Sequence, residues 1–533
     1  MTADASYKRQ RASGALDGAF DAIVIGSGAG GLTTAALLAT EGKRTLVLER
    51  HAVAGGCTQV FKRNGFEWDA GLHYMGEVHR ASSGLARLFD RVTGGRLAWA
   101  PMPDVYNRIV IGDRSYDYVS GTGRFRERMK DYFPREAGAI DAYVDLIVGA
   151  NRAARTHFAN RALPADLISA ERASAGAAFL DYSSRTVLEV LKDLTSDQEL
   201  TAVLCGHYGD YALLPSKASF AVHAMVIKHY IEGASYPVGG SGRIAETMSE
   251  TIRDGGGCVL VAAEVRRIVV RNGGAIGVEM ADGEIIEAPA IISAAGIDQT
   301  LGMLADDDAP GLAGLKAKSQ LLRPSQCYVM LNIGLSASND ELGMDPANVW
   351  AHPGADLVAN WERFAEAPAS RPMPLHFISQ PSAKDPSWPA RYPGRSTIDI
   401  CSLTHWDLFA PFAQSDWKRR SADYEELKAR LSAEMLAEID RFYPQTRGKV
   451  VHAELATPLS FNHFLGRRQG DFMSYAQTPE RFAQGWMRGP GPVRGLFFSG
   501  QDVAGAGVSG AMVGGLIAAS AVLGKDMFQA LRG

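Results

Sequence analysis

The sequence has little cysteine, no excess of either charge and almost no long apolar run, and each shortage excludes a class of protein. Its five cysteines, at positions 57, 205, 258, 327 and 401, are widely scattered and form no Cys-x-x-Cys pair. We therefore expect neither a disulfide framework nor a zinc site. We do expect a reducing compartment. The 55 basic residues against 59 acidic ones provide no basic footprint for a nucleic-acid partner.

The first twenty residues also lack the apolar core that a secretory signal needs. We expect residues 1–19 to form a flexible tail. With 533 residues, 46% of them hydrophobic and 21% charged, the chain is expected to be a globular protein of two or three domains, or of domains built from interleaved segments. We expect a cytoplasmic protein, with peripheral membrane contact as an alternative, and its oligomeric state stays open.

One long uncharged run does occur, between Asp502 and Lys525. It contains a dinucleotide-type pattern, Gly505-x-Gly507-x-x-Gly510, and a Gly510-x-x-x-Gly514 pattern typical of paired membrane helices. Its glycine-rich first half favours a loop, so a helix is predicted only over 511–523, shorter than the roughly 20 residues of a membrane span. We interpret the run as a loop and helix whose N–H groups face a cofactor bound mainly elsewhere.

The strongest positive pattern lies near the amino terminus, in DAIVIGSGAGGLTTAALLATEGKRTLVLERH. A β-branched run, Ala22–Ile25, precedes Gly26-x-Gly28-x-x-Gly31, a helical segment follows, and a second strand over 45–48 ends at Glu49. This is the strand, turn, helix, strand and acid context of a dinucleotide site. The glycines allow a tight turn, close approach of a pyrophosphate and helix–strand packing, while Glu49 binds ribose hydroxyls and disfavours the 2′-phosphate of NADP.

The rest of the chain alternates between two kinds of segment. Helical spacing predicts a mostly helical region from about 110 to 230, and 310–450 is of mixed structure. Hairpin turns divide 264–296 into short strands, and GLFFSGQD at 495–502 predicts another buried strand. The predicted fold class is α/β. A discontinuous Rossmann-like domain is expected to be interleaved with a mixed α+β substrate domain, the first comprising 20–110, 235–310 and 450–533 and the second 111–234 and 311–449.

Several stretches resemble known flavoproteins. Gly55-Gly56, followed by the Asp69-x-Gly71 turn, resembles the amine oxidase and phytoene desaturase superfamily. GFEWDAGLHYMGEV (65–78), the Pro-Ser, Ser-Phe-x-x-His-Ala and Tyr-Pro-x-Gly-Gly elements of 209–248, and TPLSFNHFLGRRQGDFMSY (457–475) resemble the retinol saturase branch of the phytoene desaturase and carotenoid isomerase family. The similarity extends over most of the chain.

The resemblance implies a non-covalently bound FAD in a Rossmann-like domain of the glutathione reductase and amine oxidase type. NAD is the less favoured alternative at this site, and NAD(P)H is a candidate external reductant. The paired glycines would pass the phosphates and ribitol, Val265 would lie near the adenine, and Cys57, where many relatives have a basic residue, is interpreted as a small packed residue. The predicted cofactor-binding residues are Gly26, Ser27, Gly28, Ala29, Gly30, Gly31, Glu49, Arg50, Gly55, Gly56, Cys57, Thr58, Gly71, Leu72, His73, Val265, Ala294, Gly296, Gly500, Asp502, Gly507, Val508 and Ser509.

The implied substrate is an elongated lipophilic polyene or isoprenoid, which exchanges a hydride with flavin N5 and a proton at the neighbouring carbon. The predicted catalytic residues are His73, Tyr74 and His223, with His229, Tyr230 and Tyr236 as further candidates. His73 ranks first because it follows the Asp69-x-Gly71 turn. Arg152, Arg155 and Lys228 are candidates for a polar substrate end, although surface solvation is favoured for them.

Metal binding, covalent flavin attachment and other functions are alternatives. His207, His223 and His229 are not spaced as ligands on one helical face, so no metal is expected. No cysteine follows Cys401, which excludes a cysteinyl flavin link before the terminal motif, and a link through His73 stays open. Saturation of a carbon–carbon double bond is the predicted function. The alternatives are a carotenoid desaturase, a cis–trans isomerase, or a flavin-free prenyl-binding protein of the GDP-dissociation-inhibitor type, which the intact Gly26–Gly31 motif disfavours.

Overall fold

A computed structural model describes residues 6–12 and 18–531. The strands formed by these residues, in chain order, are β1 Ala22–Ile25, β2 Thr45–Leu48, β3 Val60–Arg63, β4 Phe66–Asp69, β5 Met75–Gly76, β6 Trp99–Pro101, β7 Val105–Ile111, β8 Arg114–Val119, β9 Ala234–Pro237, β10 Cys258–Leu260, β11 Val265–Arg271, β12 Gly274–Met280, β13 Ile285–Glu287, β14 Ala290–Ser293, β15 Cys327–Leu335, β16 Asn348–His352, β17 His376–Ser379, β18 Ser396–Thr404, β19 Val450–Ala456 and β20 Leu496–Phe498.

Helices connect most of these strands. In chain order they are α1 Tyr7–Ala12, α2 Ala29–Thr40, α3 Gly84–Thr93, α4 Thr122–Tyr132, α5 Ala137–Asn160, α6 Ala170–Ser183, α7 Val187–Leu194, α8 Gln198–Leu204, α9 Phe220–Tyr230, α10 Gly242–Asp254, α11 Ile297–Gly302, α12 Leu312–Leu321, α13 Asn339–Leu342, α14 Leu357–Glu366, α15 Pro381–Lys384, α16 Trp388–Arg391, α17 Ala422–Phe442, α18 Pro458–Leu465, α19 Pro479–Phe482, α20 Gly507–Leu523 and α21 Met527–Ala530.

A five-stranded parallel sheet forms the nucleotide-type half of the fold, in the order β10-β2-β1-β14-β20. Strands β1, β2 and β14 are buried along their whole length, as expected of strands covered on both faces. Helix α2 packs between α10 and α20 over one face. The predicted β1–turn–α2–β2 unit is confirmed, and so are the predicted strands at β14 and β20.

An antiparallel meander, β11-β12-β13, adjoins this sheet. Its first turn contains Asn272 and Gly273, with φ of 53° and 69°, and such left-handed backbone explains the Asn-Gly-Gly sequence. The hairpin prediction for 264–296 is therefore confirmed.

The second half of the fold is a seven-stranded, mostly antiparallel sheet in the order β19-β15-β18-β17-β16-β7-β8. It corrects two predictions. Residues 105–119 form the β7–β8 hairpin, so the helical region begins at Thr122 instead of about 110. The second concerns the ends of two segments: β7 and β19, which lie at 110/111 and 449/450, pair within this sheet. The division into two interleaved domains stays a prediction.

The amino-terminal segment departs from the predicted tail over the residues that the structure describes. Helix α1 is anchored by the Tyr7 backbone N–H, which donates to the Val261 carbonyl at 3.0 Å, and the Tyr7 side chain is buried. A buried aromatic residue thus tethers this end to the strand β10 edge. Residues 1–5 and 13–17 of the predicted tail lie outside the described residues.

Helix α20 begins earlier than the sequence predicts. It runs for 17 residues from Gly507, so residues 507–510 of the glycine-rich half are helical, while residues 503–506 form the expected loop. Further along the helix the packing is close: a Cβ on Gly514 would lie 2.7 Å from the carbonyl carbon of Gly500, and a Cβ on Gly515 would lie 2.5 Å from the carbonyl oxygen of Gly30. The Gly-x-x-x-Gly pattern therefore serves backbone contact inside the fold. Among residues 6–12 and 18–531, no helix has the length and apolar character needed to cross a bilayer.

Candidate active site

The amino-terminal turn has the geometry of a dinucleotide loop. Gly26 follows β1 with φ of 94°, a conformation that favours glycine. A Cβ on Gly31 would lie 3.2 Å from the Gly26 carbonyl carbon, whereas a Cβ on Gly28 would meet nothing within 4 Å. The turn is thus closed on the helix side and open above Gly28, where α2 begins and its free N–H groups can receive a phosphate.

Glu49 lies at the end of β2, next to this turn. Its carboxylate accepts hydrogen bonds from the Ser27 backbone N–H at 2.9 Å, the Ser27 hydroxyl at 2.7 Å and the His51 backbone N–H at 2.8 Å. The Ser27 hydroxyl also accepts from the Gly55 N–H at 3.1 Å. This chain of bonds fixes the acid beside the turn, as a ribose-binding carboxylate requires. The neighbouring Arg50 instead donates to the carbonyls of His463 and Phe464.

The paired glycines cross over the turn. Gly55 has φ of 122° and forms a bridge to Gly28, and a Cβ on Gly56 would lie 3.0 Å from the Gly28 Cα. Thr58 donates to the Gly55 carbonyl at 2.9 Å. Because glycines carry no side chain, the space above Gly28 stays open and lined by backbone, which suits a pyrophosphate and ribitol chain.

Cys57 is half-buried. Burial raises the pKa of its thiol to about 11, against the opposing field of the Arg467 guanidinium. The thiol is therefore protonated at neutral pH and is a poor nucleophile. The structure adds Arg467, which the sequence predictions missed: it brings a positive charge beside Cys57. No local signal reveals this, because the two residues are far apart in sequence.

Asp502 joins three segments at the carboxyl end of the parallel sheet. It accepts from the Ile297 backbone N–H at 2.6 Å and from the Ser474 hydroxyl, and Arg467 lies 3.5 Å away. Burial opposes ionisation of Asp502, but Arg467 and these donors together lower the pKa of its carboxyl. Its expected reach toward ribitol or pyrophosphate stays a prediction, because both oxygens already have partners within the protein.

The other predicted cofactor residues surround the same edge. The Ala294 N–H donates to the Ile25 carbonyl at 2.8 Å, and Gly296 precedes α11 with φ of 104°. Val265 begins β11 and is 8% exposed, while the Ala263 N–H donates to the Glu49 carbonyl at 2.8 Å. The residues predicted from separated motifs thus converge on one edge of the sheet.

A cavity of about 1140 Å³ lies beyond this edge. It reaches Gly71, Leu72 and the start of α20, where Gly507, Val508 and Ser509 line it. The volume exceeds that of a typical pocket for one drug-sized ligand, so there is room for a flavin ring and an elongated substrate together. The apolar and sulfur-containing wall residues include Val222, Met225, Val226, Met330, Trp350, Leu375, Phe377, Cys401, Phe461, Phe472 and Val513. Most of these come from α9 and from the seven-stranded sheet.

The opening of the cavity is basic. Arg152 and Arg155, both exposed on α5, line it, as do Arg80, Arg87 and Lys228. Lys228 lies 3.4 Å from Glu77 and Arg80 lies 3.6 Å from Glu232. The predicted alternative for Arg152, Arg155 and Lys228, contact with a polar substrate end, gains support from this placement.

Of the predicted catalytic residues, His73 and Tyr74 line the cavity. His73 packs edge-on against Phe377, with ring centroids 5.1 Å apart, and its Nδ1 lies 3.6 Å from the Asp399 carboxylate. The Lys384 ammonium donates to the His73 carbonyl at 3.1 Å and is buried. Burial lowers the pKa of Lys384 to about 7.

His223 differs from the other two. It is fully buried, its ring nitrogens are bonded to the hydroxyls of Tyr143 and Tyr211 at 2.8 and 3.3 Å, and it does not line the cavity. Burial lowers its pKa to about 3. The helical spacing predicted a cavity wall or core face, and the structure places His223 in the core, so a catalytic role for it is not carried forward.

Further candidates have structural partners. The His229 ring accepts from the Gly76 N–H at 3.0 Å, and Tyr236 donates to the Asp69 carboxylate, which also accepts from the Ser241 N–H at 3.0 Å. Tyr230 stacks on Tyr74 with centroids 4.2 Å apart. Within the described part of the chain, no group of three or more His, Cys, Asp or Glu residues is placed to hold a metal ion.

Asp210 is an ionisable cavity residue that the sequence predictions missed. It lines the wall, and the Tyr74 hydroxyl donates to its Oδ2 at 3.4 Å. Burial raises the pKa of this carboxyl to about 8. A single aspartate within GDYALL carries no sequence signal, because only the fold brings it next to Tyr74.

Comparison with known proteins agrees with this architecture. Residues 29–322 match the family described as flavin containing amine oxidoreductase. The all-trans-retinol 13,14-reductase of Danio rerio is 33% identical over 95% of this chain and 86% of its own length. The inactive all-trans-retinol 13,14-reductase of Danio rerio is 30% identical over 98% and 89%, and the prolycopene isomerase of Daucus carota is 26% identical over 94% and 80%.

Among solved structures, putrescine oxidase bound to putrescine superposes with a TM-score of 0.62 at 16% identity, over 95% of this chain and 99% of that one. At this identity the likeness concerns the fold alone, and it confirms the predicted α/β architecture of the amine oxidase type. The chain therefore belongs to the flavin containing amine oxidoreductase family and, within it, to the family of the all-trans-retinol 13,14-reductases.

Proposed function

We propose that this protein is an FAD-dependent oxidoreductase that saturates a carbon–carbon double bond of a lipophilic polyene. The observation that carries the proposal is the large apolar cavity that meets the start of α20 and the Gly71 turn at one end. An elongated apolar molecule gains free energy by filling such a cavity. FAD, when bound and reduced, would supply the hydride, which carries both electrons.

The chain's own residues fit the cofactor. Glu49 is fixed for the ribose, and the open space above Gly28 suits the pyrophosphate. The free N–H groups at the start of α20 and the half-buried Arg467 favour negative charge nearby. We infer non-covalent binding, with NAD(P)H as the external reductant.

The cavity walls determine the polarity around the substrate and its orientation. Its aromatic and aliphatic walls exclude water from the double bond, and the rings of Tyr74, Tyr230 and Phe377 orient a flat conjugated chain. Its exposed opening, at Arg152, Arg155 and the start of α3, supports peripheral contact with a membrane that holds such substrates. Sedimentation with lipid vesicles, followed by a carbonate wash that releases the protein, tests that contact.

The purified protein is expected to be yellow, with absorbance near 450 nm, or to become so after reconstitution with FAD. A colourless protein that cannot be reconstituted would refute the proposal and favour a prenyl-binding protein. Isomerisation is the second candidate, because prolycopene isomerases are relatives over most of the chain. Incubation of the reduced enzyme with all-trans-retinol under nitrogen, then mass spectrometry, separates the reactions. A gain of two mass units indicates saturation, a loss indicates desaturation, and an unchanged mass indicates isomerisation.

A further inference from the structure

We propose that Asp210 is the catalytic acid that delivers the proton during saturation, with Tyr74 as its positioning residue. This role rests on the proposed function. Saturation adds one hydride and one proton across the double bond. The hydride, with both electrons, comes from the reduced flavin, and the proton comes from the Asp210 carboxyl. The carboxylate left behind is reprotonated from solvent, and an external reductant of the NAD(P)H class restores the flavin.

The position of Asp210 suits this role. Three carboxyl groups line the cavity, those of Glu77, Asp210 and Glu232. Glu77 lies 3.4 Å from Lys228 and Glu232 lies 3.6 Å from Arg80, so both are ion-paired near the opening. Asp210 lies deeper, and in the part of the chain that the structure describes no lysine or arginine is paired with it.

The contacts of Asp210 leave one oxygen available. Its Oδ2 accepts from the Tyr74 hydroxyl at 3.4 Å, and the Tyr74 oxygen in turn accepts from the Asn107 amide at 3.2 Å. No described residue bonds to Oδ1, and a fifth of the Asp210 side chain stays exposed, on the cavity side. A polyene lying against Tyr74 would thus meet a free carboxyl oxygen.

Burial keeps Asp210 neutral, although the hydrogen bond from Tyr74 favours its charged form. His207 Nδ1 lies 4.0 Å from Oδ2, but burial lowers the pKa of His207 to about 3, so this ring carries no charge at neutral pH. Burial, together with the field of Asp210, raises the pKa values of the five tyrosines near it, so none of them is charged at neutral pH: Tyr74, Tyr106, Tyr211, Tyr230 and Tyr328. Without a compensating charge, burial raises the pKa of Asp210 to about 8, which retains its proton near neutrality.

The test is the anaerobic reoxidation of the reduced holoenzyme by all-trans-retinol, followed at 450 nm. In the Asp210→Asn variant we expect the rate to fall by at least about 100-fold, with flavin content and photoreduction unchanged. The Asp131→Asn variant, altered at an exposed aspartate away from the cavity, serves as the control and should react like the wild type. The wild-type rate should fall about tenfold per pH unit above pH 8, and the Asp210→Asn rate should lack this decline.

The possible outcomes distinguish a failure of the Asp210 role from a failure of the proposed function. An Asp210→Asn variant that keeps the wild-type rate and pH profile would overturn the role of Asp210 alone. If the Asp210→Asn variant loses its flavin, the pH profiles of the wild type and of Asp210→Glu are measured instead. Both reoxidation rates must decline at alkaline pH, and a rate that does not decline overturns the role of Asp210. A yellow wild-type enzyme that leaves retinol and other polyenes unchanged would overturn the proposed function and this role with it.

Discussion

Replacing Gly514 by alanine tests the close packing that holds α20 against the cofactor edge. A Cβ there would lie 2.7 Å from the carbonyl carbon and 2.8 Å from the nitrogen of Gly500. Carbon contacts are most favourable at about 3.5–4.0 Å, so the two backbones must separate by roughly 1 Å. Neither side can yield by rotating a side chain, because the obstacle is backbone.

The cost follows from overpacking, which is typically about 1–3 kcal/mol. For a chain of this length that unfolds as one unit, roughly 1 °C in Tm corresponds to each kcal/mol, so a fall of about 1–3 °C is expected. Flavin retention is the more sensitive measurement, since the displaced start of α20 lines the cavity. We expect a lower ratio of absorbance at 450 nm to that at 280 nm, and flavin fluorescence released at a lower temperature.

Gly314 provides the matched control. It lies in helix α12, and a Cβ there would meet nothing within 4 Å. Alanine at that position should be neutral or stabilising by up to about 1 kcal/mol, with full flavin content. If Gly514→Ala retains its flavin and melts at or above the wild-type temperature, close packing at Gly500 does not explain the glycine.

Three further changes follow from the site. Glu49→Gln should raise the Kd of FAD by about tenfold or more, since a charged acceptor is worth about 1.5–3 kcal/mol; an unchanged Kd in a fluorescence titration would contradict a ribose-binding role. The double variant Arg152→Gln/Arg155→Gln should weaken a polyene carboxylate about threefold to tenfold but leave a polyene alcohol unaffected, with Arg135→Gln as an exposed control outside the cavity; equal losses for both ligands would refute the contact. Tyr236→Phe removes a donor from Asp69, whose pKa burial raises to about 6. The charged form of Asp69 loses more stabilisation than the neutral form when this hydrogen bond is removed, so Tm should fall further at pH 8 than at pH 5. A fall in Tm that is independent of pH would show that the bond does not favour the carboxylate.

The sequence predicted those features that depend on neighbouring residues. The turn at Gly26, the packing at Gly31 and the strand that ends at Glu49 follow from local chemistry, and the structure contains each of them. The start of α20 could not be predicted in this way. Glycines lower helix propensity, so Gly507 and Gly510 favour a loop in the sequence. The approach of Gly500 and Gly30 explains the glycines in the middle of the helix, Gly514 and Gly515.

The site was predicted unevenly for the same reason. His73 follows a recognisable turn and lies in the cavity. His223 lies on the apolar helix α9 and is in the core, between Tyr143 and Tyr211. Asp210 and Arg467 could not be predicted because their partners, Tyr74 and Cys57, are far away in the chain. The prediction of helix from about residue 110 was wrong because the end of β7 and the whole of β8 form a hairpin. Strand β7 also pairs with β16, more than 200 residues away in the chain.

The central claim is that reduced flavin and a protein acid saturate a polyene in the cavity beside α20. The most direct measurement is the product of the fully reduced enzyme and all-trans-retinol in heavy water, under nitrogen. We expect a product with one double bond fewer, formed as the flavin is reoxidised. It should carry carbon-bound deuterium at the protonated carbon, and also at the carbon that receives the hydride, because the N5 hydrogen of reduced flavin exchanges with solvent. Retinol recovered with unchanged mass, while the flavin stays reduced, would contradict the account.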